Sequence, residues 1–149
     1  MTIEFMRDLL SKDEKITVEY KICQHGIQED VYETVCSFSN RYGGYIIMGV
    51  EDDGTPIGIN PNMVKNMKKN FVNQLNNPDK MSPTLYLSIE DIVYEGMTLL
   101  WVYVPPTSTV EKCANRIYDR NEDGDMDITD SPIQLQNMYN RKSNTYAEH

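Results

Sequence analysis

The segment Gly43-Gly44-Tyr45-Ile46-Ile47-Met48-Gly49-Val50 constrains this chain more than any other. Its middle is apolar at both odd and even positions, and successive strand residues point to opposite faces. A strand of that kind needs cover on both sides. Before it, Ile27 to Arg41 reads as a helix. Ile27, Val31, Val35 and Phe38 form its apolar stripe, and the glycine pair closes it. After it, Glu51-Asp52-Asp53-Gly54 turns the chain, Asp-Gly being a strong hairpin signal. A buried strand between a helix and a turn calls for a layered α/β fold.

The remaining pattern fits that frame. Ile3 to Leu10 reads as a short helix and Lys15 to Cys23 as an alternating strand, with Glu19 and Lys21 on its polar face. A short strand is expected over Pro56 to Ile59. Asn60 caps a helix with Pro61 at its first position. Met63, Met67, Phe71 and Leu75 form that helix's stripe, and Lys65, Lys68 and Lys69 lie on or beside its other face. Leu85 to Tyr94 and Met97 to Val104 alternate as a hairpin around Glu95-Gly96. Strands around Ile117-Tyr118 and from Gln136 to Arg141 are expected to complete the chain. The class is α/β (α+β): a mixed β-sheet sandwich with packed helices, in a single domain spanning residues 1–149.

Composition sets further bounds. No apolar run approaches the ~18–20 residues of a membrane span, so no membrane partner is expected. Three cysteines without CxxC spacing argue against a disulfide framework or a thiolate zinc site and suit a reducing cytoplasm. The 23 acidic residues against 14 Lys and Arg give a formal charge of −9, which at first disfavours contact with phosphate. The acidity is concentrated, however. Residues 119–130 carry six acids and one Arg, a net −5, leaving −4 for all the rest.

That acidic stretch matches an EF-hand loop at positions 1, 3, 5, 6, 8 and 12. Asp119, Asn121 and Asp123 would supply side-chain oxygens, and Gly124 the sharp turn. Asp125 would offer its carbonyl, Asp127 a direct or water-mediated ligand, and Asp130 the closing carboxylate. The chemistry fits a hard cation, so Ca²⁺ is the expected ligand of the 119–130 loop. The alternative is a solvated acidic loop between strands.

Several elements together resemble a known family. Glu14, Val18-Glu19-Tyr20-Lys21, Cys36-Ser37-Phe38-Ser39-Asn40 and the stretch Gly43 to Gly54 are similar to the AlbA-2 domain, also called Schlafen AlbA-2 or divergent AAA-4. The family's late Arg-containing element corresponds to Tyr139-Asn140-Arg141-Lys142-Ser143. The resemblance implies an AlbA-2-like fold at the N-terminus of a longer bacterial protein of the transcriptional-regulator kind. It also implies nucleic-acid binding, with DNA ahead of RNA. No GxxxxGK[ST] phosphate loop supports the ATPase label.

The cations expected to meet phosphate are Lys21, Arg41, Arg141 and Lys142, with Lys65 and Lys69 as weaker candidates. Asn40, Gly43 and Gly44 are explained well by close packing alone. The RNA-cleaving Schlafen branch holds a divalent ion with two glutamates and an aspartate. The matching positions are Glu14, Glu19 and Asp52, which would bind Mg²⁺ or Mn²⁺ in an endoribonuclease alternative. A third reading is a non-catalytic interaction or dimerisation module. Binding by so acidic a chain is expected to be weak unless a partner domain or a homo-oligomer strengthens it.

Overall fold

The computed structural model describes residues 1–11 and 16–147. A four-stranded sheet organises it, in the order β1-β2-β5-β4. β1 (Val18–Lys21) runs parallel to β2 (Gly44–Met48), while β5 (Met97–Val104) is antiparallel to both β2 and β4 (Ile89–Tyr94). α2 (Glu29–Asn40) makes the crossover that a parallel β1–β2 pair requires.

The apolar run in β2 is covered on both faces, as expected. Ile46 and Met48 enter one core with Leu100, Val102 and Val104 of β5. α2 and α3 (Val64–Leu75) roof that core with Val31, Val35, Phe38, Met67, Phe71 and Leu75. Ile47 faces the other way, into a second core with Tyr20, Leu99, and Met6 and Leu9 of α1 (Ile3–Ser11). Side chains of neighbouring residues thus feed two cores through the strand's two-residue period.

Two glycines show why the α2–β2 junction reads as it does. Gly43 sits at φ +73°, and a Cβ there would lie 2.6 Å from the Val104 carbonyl oxygen. At Gly44 a Cβ would lie 2.6 Å from the Thr17 oxygen and 2.8 Å from the Phe38 ring. Bare backbone lets β1, α2 and β5 approach this closely.

A third, smaller cluster of Ile117, Ile128 and Met138 joins two C-terminal pieces. One is a hairpin, β7 (Tyr118–Asn121) with β8 (Gly124–Asp127). The other is α4 (Pro132–Ala147). A minor ladder pairs β3 (Met81–Ser82) with β6 (Lys112–Cys113). The three cysteines are free and buried.

The structure corrects several expectations. Gln136 to Arg141 is part of helix α4, not a strand. Pro132 at the first helical position starts it, and Leu135 and Met138 share its inner side at helical spacing. Pro56 to Ile59 forms only an isolated bridge from Pro56 to Val50. β4 begins at Ile89 rather than Leu85. Asn60 does cap as expected, accepting from the Asn62 N–H, although a short 3-10 turn (Pro61–Met63) precedes α3. Among the described residues, no helix is long and apolar enough to cross a membrane.

Candidate functional site

β1 is an edge strand, and an edge presents unpaired carbonyls that need partners. Arg120, from β7, supplies them. Its Nε donates to the Ile16 oxygen at 3.2 Å, and one Nη donates to Glu19 Oε2 at 2.8 Å and more distantly, at 3.5 Å, to the Val18 oxygen. The other Nη donates to Asp125 Oδ1 at 2.9 Å, across the hairpin register. The guanidinium also lies 4.8 Å from the centre of the Phe38 ring. Its side chain is 2% exposed, so this is a buried ionic clasp tying the hairpin to the sheet edge.

The C-terminal end of α2 is clasped too. Asn40 Nδ2 donates to the carbonyls of Glu111 (3.0 Å) and Tyr118 (2.9 Å), and its Oδ1 accepts from the Glu111 N–H (2.8 Å). One amide thereby joins the helix, the segment before β6 and the start of β7. The motif residues Phe38, Asn40, Gly43 and Gly44 all have structural work in this junction.

Just outside the clasp, two arginines converge on one carboxylate. Arg41 forks onto Asp119, Nε to Oδ1 at 3.0 Å and Nη2 to Oδ2 at 2.8 Å. Arg141 donates to the Asn40 carbonyl at 3.0 Å, and its Nη2 lies 3.7 Å from Asp119 Oδ1. Asp119 is buried, while the Arg41 and Arg141 side chains are 25% and 30% exposed. The hydrogen-bonded Asp119 holds the Arg41 guanidinium firmly protonated and raises its pKa. Burial and the neighbouring Arg41 lower that of Arg141. Two cations against one anion leave a local positive excess. Tyr42 stands beside it, 57% exposed, with Arg41 5.6 Å from its ring centre.

The other expected cations fall elsewhere. Lys21 is 11% exposed and held between Asp30 (2.9 Å) and Glu19 (3.4 Å). Burial pulls its pKa down, but the two carboxylates outweigh that and leave it raised. Lys142 is not a surface cation. It is buried, with Nζ donating to the carbonyls of Ser39 (3.0 Å), Thr107 (3.0 Å) and Thr109 (2.6 Å). Its position on α4 is the reason, since the helix turns Lys142 inward onto these carbonyls while Arg141 stays partly exposed. Lys65 and Lys69 are exposed on α3. Lys68 pairs with Asp91.

The 119–130 segment folds as a hairpin rather than as a wrapped loop, and this disperses its oxygens. Asp119 serves Arg41, and Asp125 serves Arg120 and the hydroxyls of Thr34 and Ser37. Asp127 and Asp130 both take Arg116. Asn121 accepts from the Asp123 N–H, closing the turn. For the divalent-ion alternative, Glu14 lies outside the described residues. Glu19 is engaged by Arg120 and Lys21. Asp52 is exposed in the turn beyond β2, well past Ile46, the register partner of Glu19. Among the described residues, no group of three or more His, Cys, Asp or Glu side chains is placed to hold a metal ion.

Sequence reasoning missed Arg120 and Glu111. Asn121-Glu122-Asp123-Gly124 carries the same Asp-Gly hairpin signal that marks Gly54, and reading it would have turned the acidic loop into a hairpin, though not in the observed register, in which Arg120 lies opposite Asp125. Nothing in the sequence marks Glu111. It is 1% exposed, and its Oε2 has no hydrogen-bond partner among the described residues.

The sequence model of the Schlafen AlbA_2 domain matches residues 2–129. The chain belongs to the Schlafen AlbA_2 family. The match ends before α4, so Arg141 and Lys142 fall outside it. The solved structure of the N-terminal domain of a protein from Nitrosomonas europaea, described as related to the ATP-dependent DNA helicase RecG, is similar. It is 27% identical with a TM-score of 0.56, over 70% of this chain and 72% of that one. The DIP2311 protein of Corynebacterium diphtheriae shares the Schlafen AlbA_2 chain's fold at 16% identity and a TM-score of 0.59. The match covers 84% of this chain but only 29% of that one. A search of curated proteins finds no match.

Proposed function

We propose that this Schlafen AlbA_2 domain binds nucleic acid, DNA ahead of RNA, through the face at the end of α2. The observation that carries the reading is the pair Arg41 and Arg141 on the single buried carboxylate of Asp119, with exposed Tyr42 alongside. Partly exposed guanidiniums with spare donors suit phosphate oxygens. Kinship with a domain from a protein described as helicase-related supports it. The exposed Lys65 and Lys69 are secondary contacts, and the buried Lys142 contributes none. With so few free cations on an acidic chain, affinity is low unless a neighbouring domain or second copy adds contacts.

Anisotropy of a labelled duplex and a labelled single strand tests the reading. The two arginine contacts alone predict a log–log salt slope of about −1.8 on the duplex and about −1.4 on the single strand, hence roughly tenfold weaker duplex binding on going from 50 to 200 mM salt. Arg141→Gln should lower that slope by about 0.9. No binding at low salt, or an unchanged slope in a folded Arg141→Gln variant, refutes it. The hydrolytic alternative would require Glu19 to leave Arg120 and Lys21 for a metal ion. Structured RNA left intact in Mn²⁺ or Mg²⁺ discards it.

A further inference from the structure

A cleft lies away from the arginine pair, between the loop before α2 and the helix α3. It measures about 430 Å³. Asn62, Asn66, Asn70 and Gln74 line it at every fourth position of the 3-10 turn and α3. That spacing places four amides along one helical face. They stand about 6 Å apart along the axis, enough for each to serve a separate group. His25 and Tyr32 lie among the other lining residues.

The lining is almost uncharged. Its one carboxylate, Glu29, is taken by Lys80. Ile27 and Met63, half-buried, supply apolar and thioether surface within the same cleft. The side chains of Asn66, Asn70 and Gln74 make no hydrogen bond to another described residue. Lys65 and Lys69 project from adjoining positions of the same helix and have no carboxylate partner among the described residues.

We propose that this cleft reads the bases of a single-stranded nucleic acid. The inference rests on the nucleic-acid reading above and assigns it a second contact surface. Each amide offers a donor and an acceptor side by side, the pattern that pairs with a base edge. A neutral lining suits bases, and the lysines beside it suit the phosphates that stay outside. A single strand is required because only an unpaired base can turn its edge and face into a cleft of this kind.

The test compares labelled deoxyadenosine, deoxycytidine and thymidine homopolymers with an abasic strand of the same length. Wild-type protein should bind at least one homopolymer about tenfold more tightly than the abasic strand, the effect of roughly two net hydrogen bonds. Asn66→Ala/Asn70→Ala removes two exposed side chains and should bind every strand like the abasic one, with its salt slope kept. Equal binding of all strands by the wild type overturns the assignment and needs no variant. So does a base preference that survives in the double variant with its helical content intact. Either result leaves salt-dependent binding at the arginine face standing. Absence of salt-dependent binding to any strand, the abasic one included, removes the underlying reading and this one with it.

Discussion

Replacing Glu111 by Gln should stabilise the fold at pH 8 and do almost nothing at pH 4.5. Glu111 is buried, with one carboxylate oxygen unpartnered among the described residues. Burial pushes its pKa from 4.5 up to about 7, although Lys142 opposes the shift. In the window between those values the folded state binds a proton that the unfolded chain has lost, so stability falls as pH rises through it. A shift of that size corresponds to roughly 3 kcal/mol, fully lost above pH 7. Lys142 works in the opposite sense. Burial lowers its pKa from 10.5 to about 8 against the pull of Glu111, so its contribution rises between pH 8 and 10.5. Wild-type stability from this pair therefore has a trough near pH 7–8. Glutamine keeps the shape of the neutral acid and removes the falling limb. Urea unfolding from pH 4.5 to 9 measures the difference between variant and wild type. It should be near zero at the acid end and grow toward roughly 3 kcal/mol by pH 8. A difference that stays constant across the range would show that Glu111 titrates as an ordinary exposed acid, and would refute the reasoning.

Other outcomes follow from the same contacts. Arg120→Met strands Glu19 and Asp125 without their shared cation, and breaking such a buried pair costs about 3–5 kcal/mol. A loss below about 1 kcal/mol in urea would mean that the clasp is solvated. Asn40→Ala leaves the Glu111 N–H unpaired and takes a donor from the Glu111 and Tyr118 carbonyls, the former keeping only Cys36 Sγ, at about 1–3 kcal/mol for a buried group left unsatisfied. Hydrogen exchange at the Glu111 amide should accelerate in that variant, and unchanged protection would contradict its role as a junction. Gly44→Ala forces a methyl against the Thr17 carbonyl and the Phe38 ring, a crowding cost of about 1–3 kcal/mol. An unaltered melting temperature would show that β1 and α2 can part without penalty.

Some of this was open to inspection in the chain. The two-sided burial of β2 follows from Tyr45 to Val50, because strand side chains alternate and both sets are apolar. The stripes of α2 and α3, the Asn60 cap and the β4–β5 hairpin are likewise local patterns. Leu135, Met138 and Lys142 carried a helical signal that a strand reading of Gln136 to Arg141 passed over. The 119–130 segment is a different case. Its spacing of oxygens matches an ion loop, but spacing along a chain does not say where each side chain turns once strands pair.

What the sequence by itself determined was most of the elements before residue 105, the covered central strand and the family, all of which rest on neighbours within a few turns or residues. Only the tertiary structure decided which charges meet. Arg41 finds Asp119 78 residues away, and Arg120 reaches Glu19 across 101. Lys142, one residue from a partly exposed arginine, is drawn inward to three carbonyls. Whether a lysine or arginine faces phosphate or is already spent on a buried oxygen depends on what the folded chain brings within about 3 Å of it. That is a property of packing, which local periodicity does not encode.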